Sequence, residues 1–216
     1  MVLPTGAYGN LQFQRSPLGL RTIAITIDDG PDEKGSPAMM AILEARCLRA
    51  TFFYVGQFAA IRPDIVREAV RRGHGVASHS WSHPTTLAGW SRPAAETEIR
   101  RGFAALESAA PGQIEPFFRF PGLGNSAGLR FWLAGQGIST IGAEAGSDDW
   151  RGLGPDAITR RTLSNMVESD GGILIIHETH PAMVTALPGL LDEFNRRGYR
   201  FVLITARTNQ AQRPVV

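Results

Sequence analysis

The sequence is poor in most of the features that would fix its class at a glance. It has one cysteine, Cys47, which excludes an intramolecular disulfide and any Cys-rich metal site. Cys47 follows Met40 and Leu43 at helical spacing, so a buried structural thiol is expected there. No run approaches the ~20 apolar residues of a membrane-spanning helix. The N-terminus, Met1-Val2-Leu3-Pro4-Thr5, has neither a basic start nor an apolar stretch, so no signal peptide is read in it. Charge of one sign is also lacking: 22 Lys+Arg against 20 Asp+Glu leave a formal +2. Basic pairs such as Arg71-Arg72 and Arg100-Arg101 fall in helix-like segments and read as solvated faces. They do not form the clustered stripe that a nucleic-acid partner requires.

What the chain does have is enough apolar residue, 43% of 216 positions, to bury the core of one large domain. Short β-branched runs alternate with helical patterns. The strands expected are Thr22–Ile27, Ala50–Val55, Gly75–Ser78, Pro116–Phe120, Ser139–Ala143, Gly172–Ile176 and Arg200–Thr205. Helices are expected near 36–47, 62–72, 92–109, 126–136, 155–168 and 187–197. Gly73, Gly137 and Gly198 each stand where a helix pattern gives way to a strand, the place for a left-handed cap. Residues 1–20 read as an N-terminal extension and 21–216 as the domain. Strands separated by helices imply α/β architecture with a parallel sheet and right-handed crossovers, either open or closed into a barrel.

Polar residues cluster at one end of these strands. Asp28 and Asp29 follow the first, His79 the third, Arg119 ends the fourth and His177 follows the sixth. Carboxyl ends of parallel strands are where barrel and open α/β active sites assemble. Each group also has an ordinary explanation. Asp28-Asp29-Gly30-Pro31 would serve as a turn or helix cap. His79-Ser80-Trp81-Ser82-His83 has the four-residue spacing that puts two imidazoles on one side of a helical turn, but two of five histidines can fall so by chance. Arg119, at the end of an apolar strand, demands a carboxylate partner whether or not it has a catalytic duty. Ser147-Asp148-Asp149-Trp150 fits a polar loop with a packing Trp, and His177-Glu178 fits a strand edge.

Taken together and in this order, these motifs resemble the polysaccharide deacetylases of carbohydrate esterase family 4, whose domain is called the NodB homology domain. The resemblance runs from about Thr22 to Thr205. It implies a distorted seven-stranded (β/α) barrel and hydrolysis of N-acetyl or O-acetyl groups on an acetylated polysaccharide or oligosaccharide. It implies one divalent metal ion, zinc, held by Asp29, His79 and His83. Asp28 would be the base and Arg119 its holder; His177 would be the acid, oriented by Asp149. Gly122 would offer its N–H to the oxyanion, and Leu174 and Trp150 would enclose the acetyl methyl. The chain departs from the family pattern at Ile27, where Phe is usual, at Arg119-Phe120-Pro121-Gly122 for Arg-Pro-Pro-Tyr, at Gly146 for Asp, and at Glu178 for Asp. The resemblance favours a periplasmic or secreted setting, and nothing in the sequence sets an oligomeric state. Two rivals stand beside this reading: a NodB-like amidohydrolase of a small non-sugar amide, and a catalytically silent sugar-binding module. Specificity is expected in the loops Pro84–Trp90, Leu123–Ser126 and Thr179–Thr185.

Overall fold

A computed structural model describes residues 1–206. The described residues form nine strands in one sheet: β1 (Ala7–Tyr8), β2 (Thr22–Asp28), β3 (Thr51–Tyr54), β4 (Gly75–Ser78), β5 (Phe117–Phe118), β6 (Ser139–Ile141), β7 (Ala145–Gly146), β8 (Gly172–His177) and β9 (Arg200–Phe201). Seven helices surround them: α1 (Gly35–Glu44), α2 (Gly56–Ile61), α3 (Pro63–Arg71), α4 (Arg92–Ala109), α5 (Ala127–Gly135), α6 (Pro155–Ser169) and α7 (Pro181–Arg196). Every pairing is parallel, in the order β1-β6-β5-β4-β3-β2-β8-β7, with β9 beside the start of β2. The fold is a distorted (β/α) barrel.

The stretch expected as one strand, Ser139–Ala143, explains both the closure and the distortion. Its first part, β6, bonds to β5 and β1, whereas β7 pairs with β8 at the other end of the sheet. Residues 142–144 carry the chain across and break the ladder there.

Strand alternation sorts the core into two layers. On β2, Ile23, Ile25 and Ile27 face outward and pack with Phe52, Tyr54, Leu174 and Ile176 against the helices. Ala24 points inward with Phe53, Ala77, Phe117, Ile141 and Ile173. Continuing that inward column by twos brings Thr26 and then Asp28 to the mouth. Position on an alternating strand thus decides which side chain can reach the site.

Three expectations are corrected. Residues 1–20 are part of the domain, not an appendage: Leu3, Tyr8 and Leu18 are buried in the inner layer and β1 adds to the sheet. Cys47 is exposed, because α1 stops at Glu44 and Cys47 lies beyond it with φ 54°. The last helix starts at Pro181, not 187, so Thr179–Thr185 includes its first turn. Proline is well suited to that first position, while Pro188 inside the helix disguised the continuity in the sequence. The short helix α2 was not expected at all.

Candidate active site

Two histidines and two aspartates meet at the mouth. Asp28 is buried at the end of β2, and its Oδ1 accepts from Arg119 Nη1 at 2.6 Å. Asp29 follows with φ 75°, a left-handed conformation that costs about 1–3 kcal/mol in a non-glycine residue. That twist turns its carboxylate to His79 Nε2 at 3.4 Å and His83 Nε2 at 3.2 Å. The histidine pair is not on a helix, as the spacing suggested. It lies on an irregular loop in which Ser80 and His83 have φ 68° and 58°.

Several groups hold that loop in place. Gly56 and Gln57 donate their N–H groups to the Ser80 and Trp81 carbonyls at 2.9 Å each. Glu98 on α4 accepts from the Ser82 N–H at 2.5 Å and its hydroxyl at 2.9 Å. Gly102, inside α4, has no Cβ to strike the Ser80 carbonyl carbon, which would lie 2.6 Å away. Glycine there costs the helix about 1 kcal/mol, offset by the close approach it allows. Glu98 and Gly102 escaped the sequence reading because a helix pattern says nothing about what passes over it.

The donor set decides what these residues can hold. His79 Nδ1 lies 2.9 Å from the Arg119 carbonyl, which can only accept. Nδ1 therefore carries a proton, which leaves Nε2, the nitrogen facing Asp29, as the one available to a cation. Asp29 Oδ1 is buried with no hydrogen-bond donor. Unprotonated acceptors that crowd together are unfavourable unless a cation joins them. Ligands about 2.1 Å from a tetrahedral ion lie ~3.4 Å apart, matching the 3.2 and 3.4 Å separations here. Burial raises the Asp29 pKa, but the neighbouring imidazoles of His79, His83 and His177 overcome this and hold it far below the usual carboxylate range. Asp29, His79 and His83 could hold a divalent metal.

A second cluster, Asp149, His177 and His180, differs in kind, because its protons are accounted for. Asp149 Oδ1 takes the His177 Nδ1 proton at 2.6 Å, and Oδ2 takes the His177 backbone N–H at 2.8 Å. Burial lowers the His177 pKa, yet the Asp149 hydrogen bond and charge outweigh it and raise it from 6.5 to about 9. This is a proton-holding pair.

Arg119 is buried, and each of its three nitrogens donates at least one hydrogen bond. Nη1 also donates to Thr26 Oγ1 at 2.8 Å, Nε to the Ile141 carbonyl at 3.0 Å and Nη2 to the Gly142 carbonyl at 2.6 Å. It lies over the Phe53 ring at 4.2 Å. The carbonyls it serves end β6 and begin the break that follows it. One side chain closes the barrel seam and holds Asp28.

A cavity of about 1010 Å³ opens above these residues, at the upper end of what a ligand site occupies. Gly122 (φ 58°), Trp150 and His177 line it. Trp150 is 58% exposed, with the Arg151 guanidinium 4.5 Å from its ring. Leu174 does not line it. Alternation sends Leu174 outward among the helices and turns Ile175 into the cavity. Ile175, two residues before His177, shares its face of the strand.

The family model described as Polysaccharide deacetylase matches residues 15–140, more than half of the chain. A chitooligosaccharide deacetylase of Sinorhizobium fredii is 29% identical over 167 residues, covering 77% of this chain and 76% of the relative. A peptidoglycan-N-acetylglucosamine deacetylase of Listeria monocytogenes is 26% identical over 187 residues; the match covers 85% of this chain but spans only 38% of the relative. A family 4 carbohydrate esterase from Streptomyces lividans, crystallised with acetate, superposes with a TM-score of 0.74 at 28% identity, covering 87% of this chain and 92% of the other. With motif order, barrel and family model in agreement, the chain belongs to the polysaccharide deacetylase family.

Proposed function

We propose that this chain is a zinc-dependent deacetylase that hydrolyses N-acetyl groups on an acetylated oligosaccharide or polysaccharide. The observation that carries the reading is the donorless Asp29 Oδ1 beside two imidazole nitrogens, with Asp28 3.6 Å from His79 on one side. The relatives that act on chitooligosaccharides and peptidoglycan support an N-acetylated sugar as substrate. When bound, a divalent ion would supply Lewis acidity toward an acyl oxygen and toward water.

The chain's own groups do the rest. Asp28, aimed by Arg119, accepts a proton from the attacking water. The Gly122 N–H meets the developing oxyanion, a contact of a kind worth about 3–4 kcal/mol. His177 hands a proton to the departing nitrogen, which is a poor leaving group without it. Ile175 and Trp150 enclose the acetyl methyl, and Trp150 offers an exposed ring to the sugar.

The test is acetate release from an acetylated chito-oligosaccharide by chelated protein, with and without added zinc. Release restored by zinc supports the reading. Stoichiometric zinc uptake with release from small amides alone would favour the amidohydrolase rival. Uptake with no turnover on either panel would favour the silent module, and no uptake would sink the metal site.

His177 must be protonated to act, so activity should fall as pH rises through its pKa. That pKa is about 9 without metal, and a nearby cation would lower it. Asp149→Asn removes the hydrogen bond to a carboxylate and the nearest charge that raise it, leaving the burial that depresses it and the more distant pull of Asp28 and Asp29. The alkaline limb of kcat/KM should therefore move to lower pH in Asp149→Asn. A limb that stays put would remove His177 as the acid.

A further inference from the structure

Glu178 follows His177 yet takes no part in the chemistry described above. It is 1% exposed and packs against the segment that follows Asp29. Its Oε1 accepts from the Ser36 hydroxyl at 2.6 Å and from the Asp32 N–H at 3.1 Å. Ser36 Oγ accepts from the same Asp32 N–H at 2.9 Å. A Cβ added at Gly30 would fall 1.3 Å from Glu178 Oε1, and one at Gly35 would fall 2.0 Å from the Glu178 carbonyl oxygen. The segment from Gly30 to Ser36, at the start of α1, is therefore wrapped around this residue, with glycines where it comes closest.

That wrapping bears on Asp29. Its left-handed backbone, φ 75°, persists only if its surroundings over-determine it. On one side β2 fixes Asp28 through the β3 and β8 ladders. On the other, the Gly30 carbonyl accepts from Val55 N at 2.7 Å, and the Asp32 N–H is held by Glu178 and Ser36.

We propose that Glu178, acting with Ser36, is a positioning residue that clamps the turn after Asp29 and so keeps the Asp29 carboxylate aimed at His79 and His83. The proposal rests on the reading of those three residues as metal ligands. Its consequence is a metal affinity that depends on a side chain touching neither the metal nor the substrate. Partners of this kind typically change metal affinity 10–100-fold. Burial, aided by the charges of Asp32 and Asp29 and opposed by the Ser36 and Asp32 hydrogen bonds, pushes the Glu178 carboxyl up to about 8. A glutamine amide, neutral and of the same length, is accordingly a close substitute.

The experiment is zinc affinity of the full chain by chelator competition, referred to the folded fraction measured by circular dichroism. The variants are Glu178→Ala, Glu178→Gln and Ser36→Ala. Glu178→Ala should bind zinc about 10–100-fold more weakly, Ser36→Ala should weaken it in the same direction, and Glu178→Gln should stay near wild type. A purely structural role would lower the folded fraction and leave the affinity of the folded protein unchanged. A folded Glu178→Ala chain with wild-type affinity overturns the clamp. If that variant does not fold, Ser36→Ala decides the matter, and wild-type affinity there overturns it too. A wild-type chain that takes up no zinc overturns the metal reading along with the clamp, and so is told apart from failure of the clamp alone.

Discussion

Asp28→Asn should bind zinc with the wild-type stoichiometry and lose about 10²–10⁴-fold in kcat for acetate release, the range a positioned general base contributes. The substitution preserves shape and hydrogen bonding. Its amide oxygen can still accept from Arg119 Nη1, which lies 2.6 Å from the native Oδ1. The amide nitrogen then faces His79 and the cavity in place of Oδ2, where a proton must be received and none can be. The loss should fall on kcat with little change in KM, because the proton transfer occurs only on the way to the transition state. His79→Ala makes the contrast: it removes one of three metal donors and should abolish zinc uptake as well as turnover. Steady-state kinetics paired with zinc quantification on both variants separates the roles. Near-normal turnover in Asp28→Asn would remove Asp28 as the base.

The residues of this site were legible in the sequence because they are of rare types at telling places. Histidine and paired aspartate at strand ends have few reasons to be there. The strands were legible too, since all seven expected runs contain strand residues and most are rich in β-branched or aromatic residues. Three things were not legible, each for a physical reason. Leu174 lies outside the cavity because the phase of alternation relative to His177 turns it outward, and aliphatic composition alone does not reveal that phase. The histidine spacing suggested a helical turn, whereas Ser80 and His83 use left-handed backbone made possible by Gly102 on a distant helix. The core role of Leu3, Tyr8 and Leu18 was hidden because an isolated apolar residue in a coil segment or a two-residue strand carries no period. Local pattern speaks to local structure, and the last two depend on contacts far away in the chain.

Arg119 is where site and fold become inseparable, and Arg119→Met should show it. Removing one partner of a buried ion pair costs about 3–5 kcal/mol, a large share of the ~5–15 kcal/mol that holds a domain folded. In a chain of this size, with each kcal/mol shifting Tm by about 2–4 °C, Tm should fall by roughly 6–20 °C. The ion pair is only part of the cause. Arg119 also serves the Ile141 and Gly142 carbonyls and Thr26 Oγ1, and methionine can donate to none of them. The double variant Asp28→Leu/Arg119→Met separates the contributions. Replacing a buried pair by apolar residues is often neutral or stabilising, so if the pair were all that mattered the double variant would regain wild-type Tm. It should instead regain only part, because the carbonyls at the seam between β6 and β7 stay buried and unpaired. Lysine should not rescue either, since a single ammonium has three donors and no planar fork to span acceptors on opposite sides. Full recovery in the double variant would reduce Arg119 to a holder of Asp28. Partial recovery would mean that one guanidinium both closes the barrel and aims the base, so the base cannot be moved without opening the seam.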